Sequence, residues 1–139
     1  MKKPYRRISH TADLGMIVRG SSLPDLFANA AWAFFDIMIE EKRVEPKGKK
    51  EIMVQAPDRE TLLISWLGEF LFLFETQGLV FSHFEIHLLT PEILRATARG
   101  ERYDPKKHPY KTAIKAVTYH QLRIYKKNGI WRARVIFDL

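Results

Sequence analysis

The dipeptide Asn128-Gly129 constrains this chain more than any other local feature. Both residues tolerate the positive φ angles of a tight two-residue turn, and such a turn matches the right-handed twist of the strands it joins. Apolar runs flank the pair, and Val135-Ile136-Phe137 reads as buried strand. A β-hairpin is therefore predicted near the carboxy terminus. With Asn128 and Gly129 as the turn, Lys127 faces Ile130, and counting back along an unbroken ladder sets Tyr119 opposite Asp138. Lys115 then lies about 13 Å along the strand from Tyr119, too far for an ion pair with Asp138. A bulge would change that count.

The rest of the chain alternates between the two hydrophobic periods. Ser22 can cap a helix over about 22–40, with Pro24 suiting its first turn and Asp25 standing where a capping-box acid belongs. Leu23, Leu26, Phe27, Ala30, Ala31, Phe34 and Met38 follow at helical spacing. Asp58 caps a second helix over about 58–77, with Leu62, Leu63, Trp66, Leu67, Phe70, Leu71 and Phe74 as its stripe and Gly78 as its stop. Both aromatic stripes read as core. Strands are predicted at Tyr5 to Ser9, Leu14 to Arg19, Ile52 to Ala56, Val80 to Leu89 and Glu92 to Gly100, with polar Glu101 to Tyr110 as an exposed loop. The expected fold is α+β: one mixed or antiparallel sheet carrying two main helices, in a single domain over residues 1–139.

A chain of 139 residues with 46% hydrophobic content buries enough surface to fold without a staple. It has no cysteine, which excludes disulfides, thiolate metal sites and a cysteine nucleophile and fits a reducing cytoplasm. No apolar run approaches a membrane span, and the basic Met1 to Arg7 segment leads into no signal-peptide core, so a cytoplasmic protein is expected. The net charge of +7 suits a polyanionic partner such as RNA, although the positive residues are scattered over Arg6-Arg7, Lys47 to Lys50, Lys106-Lys107 and Lys126-Lys127.

The residues with chemistry to offer lie near the two ends, in His10-Thr11-Ala12-Asp13-Leu14-Gly15, in Lys115-Ala116-Val117-Thr118-Tyr119-His120 and in the final Phe137-Asp138-Leu139. Asp138 and the Leu139 carboxylate put two negative groups side by side after a buried strand. Partly desolvated like charges are costly unless a cation or a lysine sits between them. Asp13, Asp138 and Leu139 form an oxygen-only ligand set suited to Ca²⁺ or Mg²⁺; zinc would recruit imidazole, and neither His10 nor His120 has a metal-helix spacing. Asp13 before Leu14-Gly15 equally fits a turn aspartate bonding its own backbone. Lys115 either snorkels to solvent or reaches a phosphate or a partner's carboxylate. No phosphate loop, nucleophile elbow or triad is present, and a hydrolase built from His10, Asp13, His120 and Asp138 would lack a general base and a positioned water.

Taken in order, these islands resemble the archease family, together with Gly20, Leu26-Phe27, Ala30-Ala31, Leu62-Leu63, Trp66-Leu67, Glu69 and Gly100-Glu101. The resemblance spans essentially the full chain. It implies a non-enzymatic accessory protein that assists an RtcB-type RNA ligase in tRNA splicing, promoting guanylylation of the ligase by GTP, supporting multiple turnover and broadening nucleotide use. Carried over, Asp13 and Asp138 become metal-binding carboxylates with Leu139 nearby. Lys115, with His10 and His120 of the same motifs, becomes the partner-activating group. One departure is Ser65, which stands where the family commonly has an acid before the tryptophan; it lies off the apolar stripe, so it bears on a partner contact and not on the fold. The alternative reading is a basic RNA-binding module without a ligase partner, suggested by the charge and by Tyr103, Tyr110 and Tyr125 as exposed aromatics, but lacking a recognised RNA-binding signature.

Overall fold

The structure, a computed structural model, describes residues 3–9 and 13–139. His10, Thr11 and Ala12 lie outside them, as do Met1 and Lys2, so the expectations placed on His10 are not addressed by the architecture. Ten elements follow in order: β1 (Tyr5–Ser9), β2 (Asp13–Gly20), α1 (Leu23–Met38), a single 3₁₀ turn (Glu41–Arg43), β3 (Gly48–Gln55), α2 (Arg59–Gln77), β4 (Leu79–Leu89), β5 (Ile93–Arg102), β6 (Ala116–Lys127) and β7 (Ile130–Asp138).

The helix ends lie close to where the capping residues set them. The Ser22 hydroxyl accepts from the Asp25 N–H at 3.2 Å, and the Asp58 carboxylate accepts from the Thr61 N–H at 2.7 Å. Gly78 closes α2 in the left-handed conformation at φ 64° and returns its N–H to the Phe74 carbonyl at 3.0 Å. Helix α1 stops at Met38, because Ile39 is extended and bridges to Tyr110.

The α+β class, the two helices and the carboxy-terminal hairpin stand as predicted, but the strands divide into two sheets. One has the order β1-β2-β7-β6 and the other β3-β5-β4, every neighbouring pair being antiparallel. Helix α1 joins them, packing on β2 and β7 of the first and on β4 of the second, while α2 packs beside it on β6 and the smaller sheet. The stripe read from the sequence understates α1: every residue from Ala33 to Met38 is buried, Phe35 and Ile37 included. A helix wrapped on all sides serves two sheets where a one-sided stripe serves one. Phe35, Trp66, Phe70, Phe81 and Phe84 meet mostly edge to face, and the Trp66 indole N–H donates to the Phe27 carbonyl at 2.8 Å.

Two acids are buried beside this core. Asp36 accepts from the Tyr5 hydroxyl at 2.7 Å and pairs with Lys3 at 2.8 Å. Glu41 is only 3% exposed, and its pKa is pushed up to about 8 by burial, then by the Asp36 charge, against a Trp32 hydrogen bond that pulls it down. The folded-state value lies above the ordinary 4.5, so folding favours the protonated acid. Its contribution is complete below about pH 4.5 and declines as pH rises toward 8. Glu41→Gln should therefore raise the thermal midpoint at pH 8 by several degrees, about 1.4 kcal/mol per pKa unit, and leave it nearly unchanged near pH 4.5. Equal effects at both pH values would contradict this account.

Candidate functional site

The two ends of the sequence meet in one ladder. Strand β2 pairs with β7 from Asp13↔Asp138 through Gly15↔Ile136 to Gly20↔Trp131. Side chains alternate across it: Met16, Val18, Val135 and Phe137 turn inward and are fully buried, so Asp13 and Asp138 share the opposite face. Directly opposite positions in an antiparallel pair bring side chains to about 5 Å at Cβ. Gly15 is the next residue on that face. A Cβ there would fall 2.4 Å from Ile8 and 2.8 Å from Ile136, so its absence lets the flanking isoleucines close over the strand. Asp13 is half-buried, whereas Asp138 and Leu139 are exposed. The expectation that the Asp138 and Leu139 carboxylates are partly desolvated is therefore not met, since both residues lie exposed where the strand ends.

The hairpin count is corrected by a large bulge. The turn itself is as predicted, with Asn128 at φ 53°, Gly129 at φ 75° and Lys127 opposite Ile130. Regular pairing runs to Arg123↔Arg134 and resumes at Thr118↔Ile136, so four residues, Tyr119 to Leu122, stand against the single Val135. Gln121 takes up the excess in the left-handed region at φ 51°. The register slips by three residues, and Ala116 faces Asp138 where Tyr119 was expected. Lys115 is then adjacent to Asp138, and its backbone N–H donates to the Asp138 carbonyl at 2.8 Å. The separation argument therefore fails. Among the described residues the Lys115 side chain nonetheless forms no ion pair, and it is exposed. His120 sits in the exposed bulge, its N–H donating to the Thr118 hydroxyl at 3.2 Å.

The segment that delivers Lys115 is not the exposed loop its polarity suggests. It crosses the end of α1, where Lys111 N–H donates to Met38 O at 2.8 Å, Glu40 N–H donates to Pro109 O at 3.3 Å, and Ile114 is buried. His108, which sequence reasoning missed, is completely buried and pins it. Its Nδ1 accepts from the Asp104 N–H at 2.9 Å, so Nε2 carries the proton and donates to Glu101 at 2.8 Å. Desolvation raises the Glu101 pKa, but hydrogen bonds from the Glu45 N–H, Lys107 and His108 outweigh it and hold the carboxyl at about 2. Tyr103 stacks on His108 and meets Phe74, so it is half-buried, not an exposed aromatic; Tyr125 is half-buried too, and Tyr110 is exposed. His108→Ala should cost about 2–3 kcal/mol in urea unfolding by stripping a buried carboxylate of a donor. Lys115→Ala should stay within about 0.5 kcal/mol of the parent. A large loss from Lys115→Ala would mark it as structural.

The arrangement offers two facing carboxylates, a neighbouring lysine and a terminal residue at one open edge. Among the described residues no three His, Asp or Glu side chains cluster as metal ligands, so a cation here would complete its shell with water or the partner's atoms. Also absent from sequence reasoning was a set of arginines on the same outer face, legible only in the two-residue spacing of Arg132 and Arg134.

This is an α+β protein of two antiparallel sheets joined by a buried helix, with Asp13 and Asp138 from the two ends of the sequence facing each other at the end of the central strand pair. The sequence profile of the Archease protein family (MTH1598/TM1083) matches residues 5–139, and the chain belongs to that family. It is 39% identical to protein archease of Methanosarcina mazei over 99% of this chain and 97% of that one. It is 40% identical to protein archease of Methanopyrus kandleri over 98% and 99%. The solution structure of Methanobacterium thermoautotrophicum protein 1598 superposes with a TM-score of 0.86 at 34% identity, over 99% of this chain and 100% of that one. A crystal structure described as an archease and possible chaperone from Thermotoga maritima shares the fold at a TM-score of 0.67 and 24% identity, over 100% and 98%.

Proposed function

We propose that this protein is a cytoplasmic accessory factor, not an enzyme, that activates an RtcB-type tRNA-splicing RNA ligase by promoting its guanylylation with GTP and its multiple turnover, with altered nucleotide use. The observation that carries this reading is the ladder register: Asp13 faces Asp138, and Lys115 bonds to the Asp138 backbone, so residues the family resemblance singles out share one edge. An activator must interact more strongly with the reactive state of its partner than with the resting state. A carboxylate pair beside an exposed lysine suits that task, because it offers both a cation site and a fixed positive charge for a partner's nucleotide phosphates. The possible-chaperone description of the Thermotoga relative is compatible with an activator that holds its partner in a competent shape.

Asp13 and Asp138, with Leu139 beside them, would hold a divalent cation, calcium or magnesium. The fit rests on donor chemistry: hard oxygen ligands at directly opposite positions of one ladder pair. His120, and His10 in the neighbouring motif, would contribute to partner contact.

The test is a guanylylation assay with a ligase limited to a single turnover, supplied with GTP, metal and broken tRNA. The parent protein should raise both the guanylylated fraction and the turnover number. Asp13→Ala, Asp138→Ala and Lys115→Ala should each lose that effect while keeping the parent's circular dichroism. In a separate arm, calcium or magnesium added to chelator-stripped protein should raise the parent's thermal midpoint, by about 2.7 kcal/mol of stability at a hundred times Kd, and should leave the two aspartate variants unmoved. A parent protein that does nothing to the ligase would sink the activator reading; a midpoint indifferent to both ions would remove the cation.

A further inference from the structure

We propose that the outer face of the four-stranded sheet binds single-stranded RNA, with Arg6, Arg19, Arg123, Arg132 and Arg134 holding the phosphate backbone and Tyr125 extending a stacking surface for bases. This does not depend on the ligase reading.

The register puts these residues together. Arg6 faces Ile17, Ile17 faces Arg134 and Arg134 faces Arg123, a row across all four strands. Two residues along, Arg19 faces Arg132 and Arg132 faces Tyr125. All five arginines therefore share the face turned away from α1. Two pairs, Arg19–Arg132 and Arg134–Arg123, are directly opposite like charges, an arrangement that costs stability in a sheet. Among the described residues none of the five has an ion pair with a carboxylate. Among the described residues the acids on the face are Asp13 and Asp138 at its far end, about 13 Å along the strand from the Arg134 row.

Arg6, Arg19 and Arg132 line a cleft with the buried Ile17, and greasy stems are a sufficient reason for long side chains there. They give no reason for five cations without an acid, since alternating lysine and glutamate would cover the same isoleucine without repulsion. A polyanion supplies the missing charge, and guanidinium forks match phosphate in two-point contacts. The face is free to receive one: among the described elements no helix or strand packs over it, the neighbours of these strands being one another and the two helices on the inner side. Part of it is already arranged. The Arg19 guanidinium donates to the Lys3 carbonyl at 2.7 Å, and Arg134 donates to the Gln121 side chain at 3.2 Å. The Arg132 Nε is buried without a hydrogen-bond partner among the described residues, beside a small cleft lined by Arg6, Ile17 and Arg19.

Single-stranded RNA is favoured over a duplex or an acidic protein by the planar groups. Arg123 lies over the Tyr125 ring at 4.4 Å, giving a stacked guanidinium and phenol on an open sheet. Unpaired bases stack on such planes, whereas duplex RNA presents its backbone and keeps its bases to itself.

Fluorescence anisotropy with the full chain and a short labelled oligoribonucleotide tests this, with the same sequence as a duplex and polyglutamate as competitors. Five phosphate contacts imply about a hundredfold loss of affinity between about 50 and 200 mM salt. Arg132→Ala/Arg134→Ala should weaken low-salt binding on the order of tenfold and reduce the salt slope by about 1.4. Lys49→Ala/Lys50→Ala, on the other sheet, should change affinity less than twofold. Removing repulsion should leave the variant's low-salt thermal midpoint at or above the parent's. If the double variant fails to fold, Arg123→Ala on the edge strand carries the same expectation with a slope reduced by about 0.7. Binding without salt dependence, or equal loss from the lysine control, would overturn the proposal. So would tighter binding of the duplex, or displacement by polyglutamate at equal charge, the latter reassigning the face to an acidic protein.

Discussion

The pairing of β2 with β7 is the contact on which the rest of this protein depends. It joins residues near the two ends of the chain in the middle of the four-stranded sheet, with β1 and β6 added on either side. Its inner face supplies Met16, Val18, Val135 and Phe137 to the core beneath α1. At its other end Gly20 passes so close to the first turn of α1 that a Cβ would lie 2.4 Å from the Leu26 nitrogen. The position of α1 is thereby tied to the ladder, and through α1 so is the second sheet.

Helix α1 carries that dependence across the molecule. Its second half is buried all round, with Phe34 against Phe137 of the first sheet and Phe35 against Phe81 and Phe84 of the second. The end of the helix is tied in turn to the segment running from Arg102 to Ala116, through Met38 and Glu40. That segment has no regular structure, yet a buried His108–Glu101 pair and a set of backbone bonds hold it in place. Lys115 is therefore presented by a braced strap, which gives an exposed side chain a defined origin at the strand edge.

The first sheet keeps its two faces chemically apart. Met16, Val18, Val135 and Phe137 are gathered under the helices, while the opposite face carries acids at one end and arginines along the remainder, set around the buried Ile17 and Ile136. The alternation of a β-strand enforces this, since one inward set determines the outward one. The bulge in β6 is the exception. It interrupts the period and pushes Tyr119 into solvent at 62% exposure. It also slides the strand by three residues, which brings Lys115 to Asp138.

Local patterns were legible wherever neighbouring residues decide the outcome. Ser22, Asp58 and Gly78 bound their helices because capping needs only a few adjacent groups, and Asn128-Gly129 made its turn because both residues accept positive φ. The motif residues at both ends also marked Asp13, Asp138 and Lys115 as a set. Tertiary structure decided what depended on distant partners. Two sheets replaced one, because strand order follows from how α1 is buried and not from any strand's own alternation. His108 became a buried anchor inside a segment that reads as polar loop, because a carboxylate and a backbone N–H from other positions satisfied its ring. The meeting of Asp138 with Lys115 required a bulge whose only local trace is a left-handed Gln121, a conformation no residue type there announces. The arginine face arose in the same way: single residues scattered through four strands become one surface only when the ladder registers align them.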